Sequence, residues 1–305
     1  MSIYTDLALE ARELDPELDG VTEQREREGD IEITRIGIVS EKAAKALNKK
    51  TGSYITIDAP RLIERSPELF RSVAKTLAKE ITGMLKRVNE NAEIVVVGLG
   101  NRNVTPDSLG PRTVERVFVT RHINHYLPDA FEHSIRSVAA IAPGVLGSTG
   151  VETVELIKGV CEKTGPDLVI AVDSLASRRA ARISTTVQLT DAGIEPGSGV
   201  GNLRSGVDRE SLGVPVLAIG VPLVVCASTI TQDVISMIAD QTGLHDDEER
   251  LRSLAKKVAE ERMDGLIVTP KDIDSIVEDM SAVLAEGINM ALFGSGYAEV
   301  RDLIS

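Results

Sequence analysis

Two aspartates stand where an enzyme would place an acid. In DLVIAVDSLASRR (167–179) a continuous apolar run at 168–172, rich in Val and Ile, ends in Asp173. Such a run reads as a strand buried on both faces. In VVVGLGNRNVTPDSLGP (95–111) another apolar run leads into a loop that carries Asp107. In open parallel sheets ligands bind beyond the carboxyl ends of the strands, so both acids have the same address. Two carboxylates within a few ångströms of each other cannot both ionise easily. One stays protonated, and the pair can then activate a water and protonate a leaving amine. Each acid also has a plain reading: Asp107 as a turn or helix N-cap ahead of Pro111, and Asp173 as an N-cap on SLASRRAAR.

The remaining chemistry-bearing residues are fewer and less well placed. His122 and His125 lie three apart on an expected helix, with His133 and His245 elsewhere, and no HExxH or third ligand accompanies them. No metal and no cofactor is expected. GLGN (98–101) and GSGVGN (197–202) invite a phosphate-cradle reading, yet neither completes GxGxxG or ends in GKS or GKT. Cys161 and Cys226 are far apart and read as buried small hydrophobes in a reducing, cytoplasmic compartment.

These residues must be positioned by a chain of 305 residues, 42% hydrophobic and 27% charged, with no Trp and four each of Phe and Tyr. The core must come from Val, Ile, Leu and Ala, which favours parallel sheet and helix. A net charge of -13 opposes the basic surface that nucleic acid requires. No apolar run reaches the ~18 residues of a membrane span, and the start, MSIYTDLALEARELDPE, is acidic where a signal peptide is basic.

Residues 1–30 read as a loosely attached polar arm ending in a turn at Gly29-Asp30. IEITRIGIVS, EKAAKALN and SYITID then suggest a small N-terminal β-α-β element. Beyond it strands alternate with helical segments: a helix opening at Ser66-Pro67, a strand over AEIVVVGLG, a helix over RTVERVFVTRHINHYL, and a strand and loop over SVAAIAPGV. A helix over GVETVELIKGVCEKTG, strands at DLVIAVD, TTVQLTD and VPVLAIGVP, and a helix over TITQDVISMIADQTG follow. A charged helix at 245–262 and a long helix capped by Thr269-Pro270 close the chain. The expected fold is α/β: a doubly wound, mostly parallel (mixed) sheet flanked by helices, with residues 31–305 forming one domain.

Taken in order, VVVGLGNRNVTPDSLGPRTV, VTRHI, IAPGVLGSTGVET, DLVIAVDSLASR, TVQLTDAGIEPGSGVGN, VPVLAIGVPLVV and VTPKDIDSIVEDM resemble the germination protease family of spore-forming bacteria. The resemblance runs from about Tyr4 to about Leu292. It implies a fold similar to hydrogenase maturation proteases, and an atypical aspartic endopeptidase that degrades small acid-soluble spore proteins in the spore core. The family's two essential acids fall on Asp107 and Asp173. The resemblance also implies a homotetramer, and a zymogen that clips its own N-terminus. Here Asp6-Leu7-Ala8-Leu9-Glu10 fits the processing site, with cleavage between Asp6 and Leu7 and a propeptide of residues 1–6. Preference for an acid before the scissile bond calls for cations, for which Arg102, Arg112, Arg178 and Arg179 are the local candidates. The stretch 242–266 is shorter than in the family's larger members.

Two rival readings make different demands. A metal-dependent maturation-type protease would enlist His122. A non-catalytic nucleotide- or anion-binding module would use the two glycine-rich loops.

Overall fold

The computed structural model describes residues 5–304 except 90, 128–130, 132–134, 198–204, 232, 233, 235–237 and 239–265. Its centre is one mixed sheet of nine strands: β1 (Val21–Glu28), β2 (Ile31–Ile38), β3 (Gly52–Asp58), β4 (Glu93–Gly98), β5 (Ser137–Ile141), β6 (Leu168–Ser177), β7 (Thr186–Thr190), β8 (Val216–Cys226) and β9 (Ile267–Val268). They lie in the order β1-β2-β3-β7-β8-β6-β4-β5, with β9 pairing the far end of β8. Strands β8, β6, β4 and β5 are mutually parallel, and every other pairing is antiparallel.

The mixed α/β sheet anticipated from the sequence is what the chain forms, and its parallel part is the four strands that carry the two acids. The N-terminal β-α-β element joins the same sheet. Helix α2 (Glu41–Leu47), capped by the Ser40 hydroxyl accepting from Ala43 N–H, connects two antiparallel neighbours. The polar arm is more ordered than its composition suggests. Residues 21–28 pair with β2 along their whole length, and helix α1 (Ala8–Leu14) packs through Ala8, Leu9 and Ala11 onto Ile36, Ile38 and Tyr54. An edge strand with exposed faces has no apolar alternation to betray it.

The two faces of the sheet are built differently. One carries Ile33, Ile57, Leu189, Ile219, Ile170 and Ile94, and helices α3 (Pro67–Met84) and, near the C-terminus, Ile273–Phe293 seal it with Leu77, Ile81, Leu284 and Ile288. The periodicity of apolar positions makes both helices amphipathic, and burying each large side chain contributes about 1.5–3 kcal/mol. On the opposite face, Val95, Val97, Val169 and Ala171 pack against Ile157 and Cys161 of the helix Thr153–Thr164. Further along that face the arm lies on Gln188, Ile36, Ile38 and Tyr54, and Thr34, Thr56, Gln188 and Thr190 are all buried.

Three boundaries depart from the sequence reading. The helix expected over 112–127 is two short ones, α4 (Leu109–Val114) and α5 (Arg121–Tyr126). Between them Phe118 N–H donates to Asn289, and Thr120 N–H donates to Val138 O, so the backbone is held by neighbours instead of by its own helix. The long C-terminal helix starts at Ile273, not at Thr269, because the Thr269 hydroxyl donates to Leu223 O. The strand holding Asp173 runs on to Ser177, since β8 stays beside it through a bulge between Leu175 and Ala176. The charged run 245–262, GSGVGN from 198 on, and His133 and His245 lie outside the described residues.

Candidate active site

Strand β4 pairs with β6 only as far as Gly98 opposite Val172, with Leu99 N–H donating to Val172 O as the last rung. Asp173 is the next residue of β6. It is 4% exposed, and its Oδ1 accepts from Ser174 N–H at 2.8 Å. Because the residue lies inside a strand, the N-cap reading of Asp173 does not apply.

Asp107 reaches the same edge by another route. It closes a short 3-10 turn (Thr105–Asp107) that packs against β6, and its Oδ2 accepts from Asn101 N–H at 2.8 Å, tying the turn to the exit of β4. Two glycines permit this closeness. Gly100 has φ +108, and a Cβ there would lie 2.1 Å from Asp107 O. At Gly110 a Cβ would fall 2.3 Å from Leu99 O and 2.4 Å from Val172 O, so α4 rests directly on the ends of both strands. GLGN therefore serves a tight turn that positions an acid.

Beyond Val172 the β6 edge that faced β4 is taken by the N-terminal arm. Asp6 N–H donates to Ala176 O at 2.9 Å, and Ala176 N–H donates to Asp6 Oδ2 at 2.8 Å. Asp6 O accepts from Gln188 Nε2 at 3.0 Å, and Ala8 N–H donates to Gln188 Oε1 at 2.7 Å. Lys49 Nζ donates to Thr5 O at 2.9 Å; burial lowers the pKa of this amine, against the pull of Asp6, Glu195 and Glu10. Leu7 and Ala8 are fully buried.

Glu10 anchors the arm further on. Its carboxylate is fully buried, accepts from Arg178 N–H at 2.6 Å, Arg179 N–H at 2.9 Å and the Thr5 hydroxyl, and lies 3.3 Å from Arg182. Arg182 also holds Glu13 at 2.6 Å. Burial works to raise the Glu13 carboxyl, but the hydrogen bond and charge of Arg182, with Arg179 behind it, hold its pKa below the ordinary value. Beside this network is a cavity of about 300 Å³ lined by Arg27, Asp58, Arg179 and Arg182, where burial pushes the Asp58 carboxyl up. A second cavity of about 410 Å³ is lined by Leu62, Phe70, Ile276 and Met280. Neither lining includes Asp107 or Asp173.

Asp107, Asp173, Asp6 and Leu7 thus gather at one end of the parallel strands. The arginines scatter around it. Arg102 pairs with Glu115, Arg112 bonds Ser108 and faces Glu278, Arg179 faces Glu13, and Arg178 gives its backbone N–H to Glu10. His122 is exposed on α5, and among the described residues no three His, Cys, Asp or Glu converge to hold a metal ion. Gln188 and Lys49 carry no motif, and Glu10 closes the expected processing sequence without any sign of its anchoring role. The one trace of Gln188 is a polar side chain amid the apolar and β-branched residues of TTVQLTD.

The family-wide sequence profile described as Germination protease matches residues 2–256 and 239–300. The chain belongs to the germination protease family. It is accordingly a spore-germination endopeptidase, a hydrolase of peptide bonds. The germination protease of Caldanaerobacter subterraneus subsp. tengcongensis is 48% identical over 307 residues, 96% of this chain and 94% of that one. The Clostridium tetani germination protease is 41% identical over 310 residues, 96% of each chain. That of a Geobacillus species is 40% identical over an alignment of 349 positions, longer than this chain, and covers 95% of it and 94% of the relative. A solved [NiFe] hydrogenase maturation protease, HycI from Thermococcus kodakarensis, matches 68% of this chain and 98% of its own at 17% identity, with a TM-score of 0.36. No helix among the described residues is long and apolar enough to cross a membrane.

Proposed function

We propose that Asp107 and Asp173 activate the water that hydrolyses the peptide bond, and that the substrates are small acid-soluble spore proteins in the forespore and spore core. The observation that carries this reading is the convergence of the two acids. One is the first residue of β6 beyond the reach of β4, and the other sits on a turn packed against that strand and tied to the exit of β4. One carboxylate takes a proton from water as its oxygen adds to the carbonyl carbon. The other, protonated, gives its proton to the departing amine as the C–N bond breaks. The chemistry calls on no cofactor.

The same reading makes the chain a zymogen that cuts its own Asp6–Leu7 bond and works as a homotetramer, with residues 1–6 as propeptide, 7–30 completing the arm and 31–305 as the protease domain. The placement of Asp6 on the β6 edge three residues past Asp173 supports self-cleavage. Preference for an acid at that position has local support from Ala176 N–H and from the Lys49 ammonium nearby, with Arg178 and Arg179 at the end of the same strand.

The test is hydrolysis of a spore-protein peptide by Asp107→Asn and Asp173→Asn. Each should lose turnover while melting like the parent. Retained turnover in either variant removes the pair as the catalytic acids.

A further inference from the structure

Asp173 does not stand alone at its level of the sheet. The pairing registers align Thr34 with Thr56, Thr56 with Gln188, Gln188 with Gly220, and Gly220 with Asp173, a single row across five strands. Residues opposite one another in a ladder project from the same face. Asp173 and Gln188 therefore share a face, two inter-strand spacings or roughly 10 Å apart at the backbone, with only a glycine between them. Leu175 leans over that glycine, so the row is screened from bulk water. Gln188 is 6% exposed, Thr56 and Thr34 are each 1% exposed, and neither threonine hydroxyl finds a hydrogen-bond partner among the described residues.

Across this row lies the Asp6–Leu7 peptide bond. The Gln188 amide brackets Leu7, giving its Nε2–H to Asp6 O of this bond and taking Ala8 N–H of the next peptide on its Oε1. The orientation of the amide is fixed by chemistry, because a carbonyl can only accept and a backbone N–H can only donate. We propose that Gln188 is a catalytic residue of the self-cleavage, its Nε2 donating to the scissile carbonyl oxygen as that oxygen gains negative charge. The inference rests on the reading of Asp6–Leu7 as the processing site.

The step balances with water alone. Water oxygen bonds to the Asp6 carbonyl carbon, the former carbonyl oxygen becomes an oxyanion held by Gln188, and the C–N bond to Leu7 breaks. One water proton passes through the acid pair to the Leu7 nitrogen. The second water proton stays on the new Asp6 carboxyl group and then moves to the released Leu7 amine, so the products are a carboxylate at Asp6 and an ammonium at Leu7. A donor already aimed at the oxygen in a desolvated site needs no reorganisation when charge develops, which is why such donors matter more there than in water. The hold on Ala8 N–H keeps the peptide on the leaving side from shifting as the bond breaks.

The experiment follows loss of residues 1–6 from the full chain by intact mass, alongside hydrogen exchange of the amides at 7–11. Gln188→Ala should slow the first-order cleavage about 100-fold, the usual effect of removing one such donor, with the arm amides still protected. Gln188→Glu keeps an acceptor for Ala8 N–H. It should be equally slow at neutral pH and recover toward the parent as acidification protonates the introduced carboxyl, which can then donate. The proposal is overturned if Gln188→Ala cleaves at the parental rate, or if its slowing tracks loss of arm protection and Gln188→Glu shows no recovery in acid. It also falls if the parent chain never sheds residues 1–6, an outcome separate from the endopeptidase reading, which hydrolysis of a spore-protein peptide in trans decides.

Discussion

The same strands present two unlike faces. Under α3 and the helix Ile273–Phe293, which we call α9 in chain order after α6 (Leu146–Thr149), α7 (Thr153–Thr164) and α8 (Arg209–Leu212), the sheet is aliphatic, with Ile33, Ile57, Leu189, Ile219 and Ile170 packed on Leu77 and Leu284. On the reverse, the level of Asp173 offers two threonines, a glutamine and a glycine, and its cover is the arm at 5–11 held by a few hydrogen bonds and ion pairs. A core face stabilises by apolar area and tolerates no unsatisfied polar group. At that level the reverse face keeps a row of buried polar atoms, including the Thr34 and Thr56 hydroxyls, which have no hydrogen-bond partner among the described residues; this costs stability and fits a face that handles a peptide. Elsewhere the reverse face is aliphatic too, with Val95, Val97, Val169 and Ala171 under α7, so the polar row at the level of Asp173 is a local exception, and it is this row that we assign to function.

That division is most sharply tested where the two acids meet. Asp173→Asn should cut peptide hydrolysis by about 10³-fold or more, within the range for losing an acid–base group, and leave the melting temperature nearly unchanged. Gly110→Ala should come close to it without touching either carboxylate. The added Cβ would meet Leu99 O and Val172 O well inside contact, lifting α4 and the Asp107 turn off the ends of β4 and β6. Peptide hydrolysis at parental rate in Gly110→Ala would break the link between that close approach and the site.

On the aliphatic face the expectation reverses. Leu284→Ala removes a fully buried side chain from the α9 seam and should cost about 2–5 kcal/mol of stability in denaturant unfolding, with kcat kept by the fraction that remains folded. A large loss of kcat at unchanged stability would show that the faces are not separable in this way.

How far the sequence foretells this depends on whether a residue's partners are near it in the chain. The placement of Asp107 and Asp173 at the ends of neighbouring strands is legible because each follows an apolar run. The continuation of β6 to Ser177 is not legible, because it depends on β8 remaining alongside through a bulge at Pro222. β1 escapes notice because VTEQRERE turns charged side chains to both faces and owes its strand to β2 alone. The break near Thr120 is written in β5, whose Val138 N–H donates to the threonine hydroxyl. Gln188 is the extreme case: its partners Asp6 and Ala8 lie about 180 residues away, so nothing local marks it.

The arm's anchorage supplies a milder test of the polar face. The folded-state pKa of Glu13 is depressed, so the Arg182 contact contributes stability above the ordinary carboxylate pKa and loses it as the pH falls through the lowered folded value. Protection of the amides at 7–11 should therefore hold from neutral pH into mild acid and fall only below the usual carboxylate range, whereas Glu13→Gln should already show reduced protection at neutral pH. Exchange that quickens equally in α9 would mean that the whole fold, not the arm, is responding.

The smallest effect is the most pointed. Thr56 Oγ1 is buried with no hydrogen-bond partner among the described residues, and Thr56→Val removes that hydroxyl at nearly constant shape. A hydroxyl buried only for packing reasons leaves the fold neutral or up to about 1 kcal/mol more stable when it goes, and activity stays as it was. If the row from Thr34 to Asp173 serves an extended peptide, the same substitution should raise KM several-fold at unchanged kcat while stability holds or rises. Opposite signs in stability and substrate affinity from one hydroxyl would be the signature of a face kept polar for its substrate, and a gain in stability with KM unmoved would return Thr56 to mere packing.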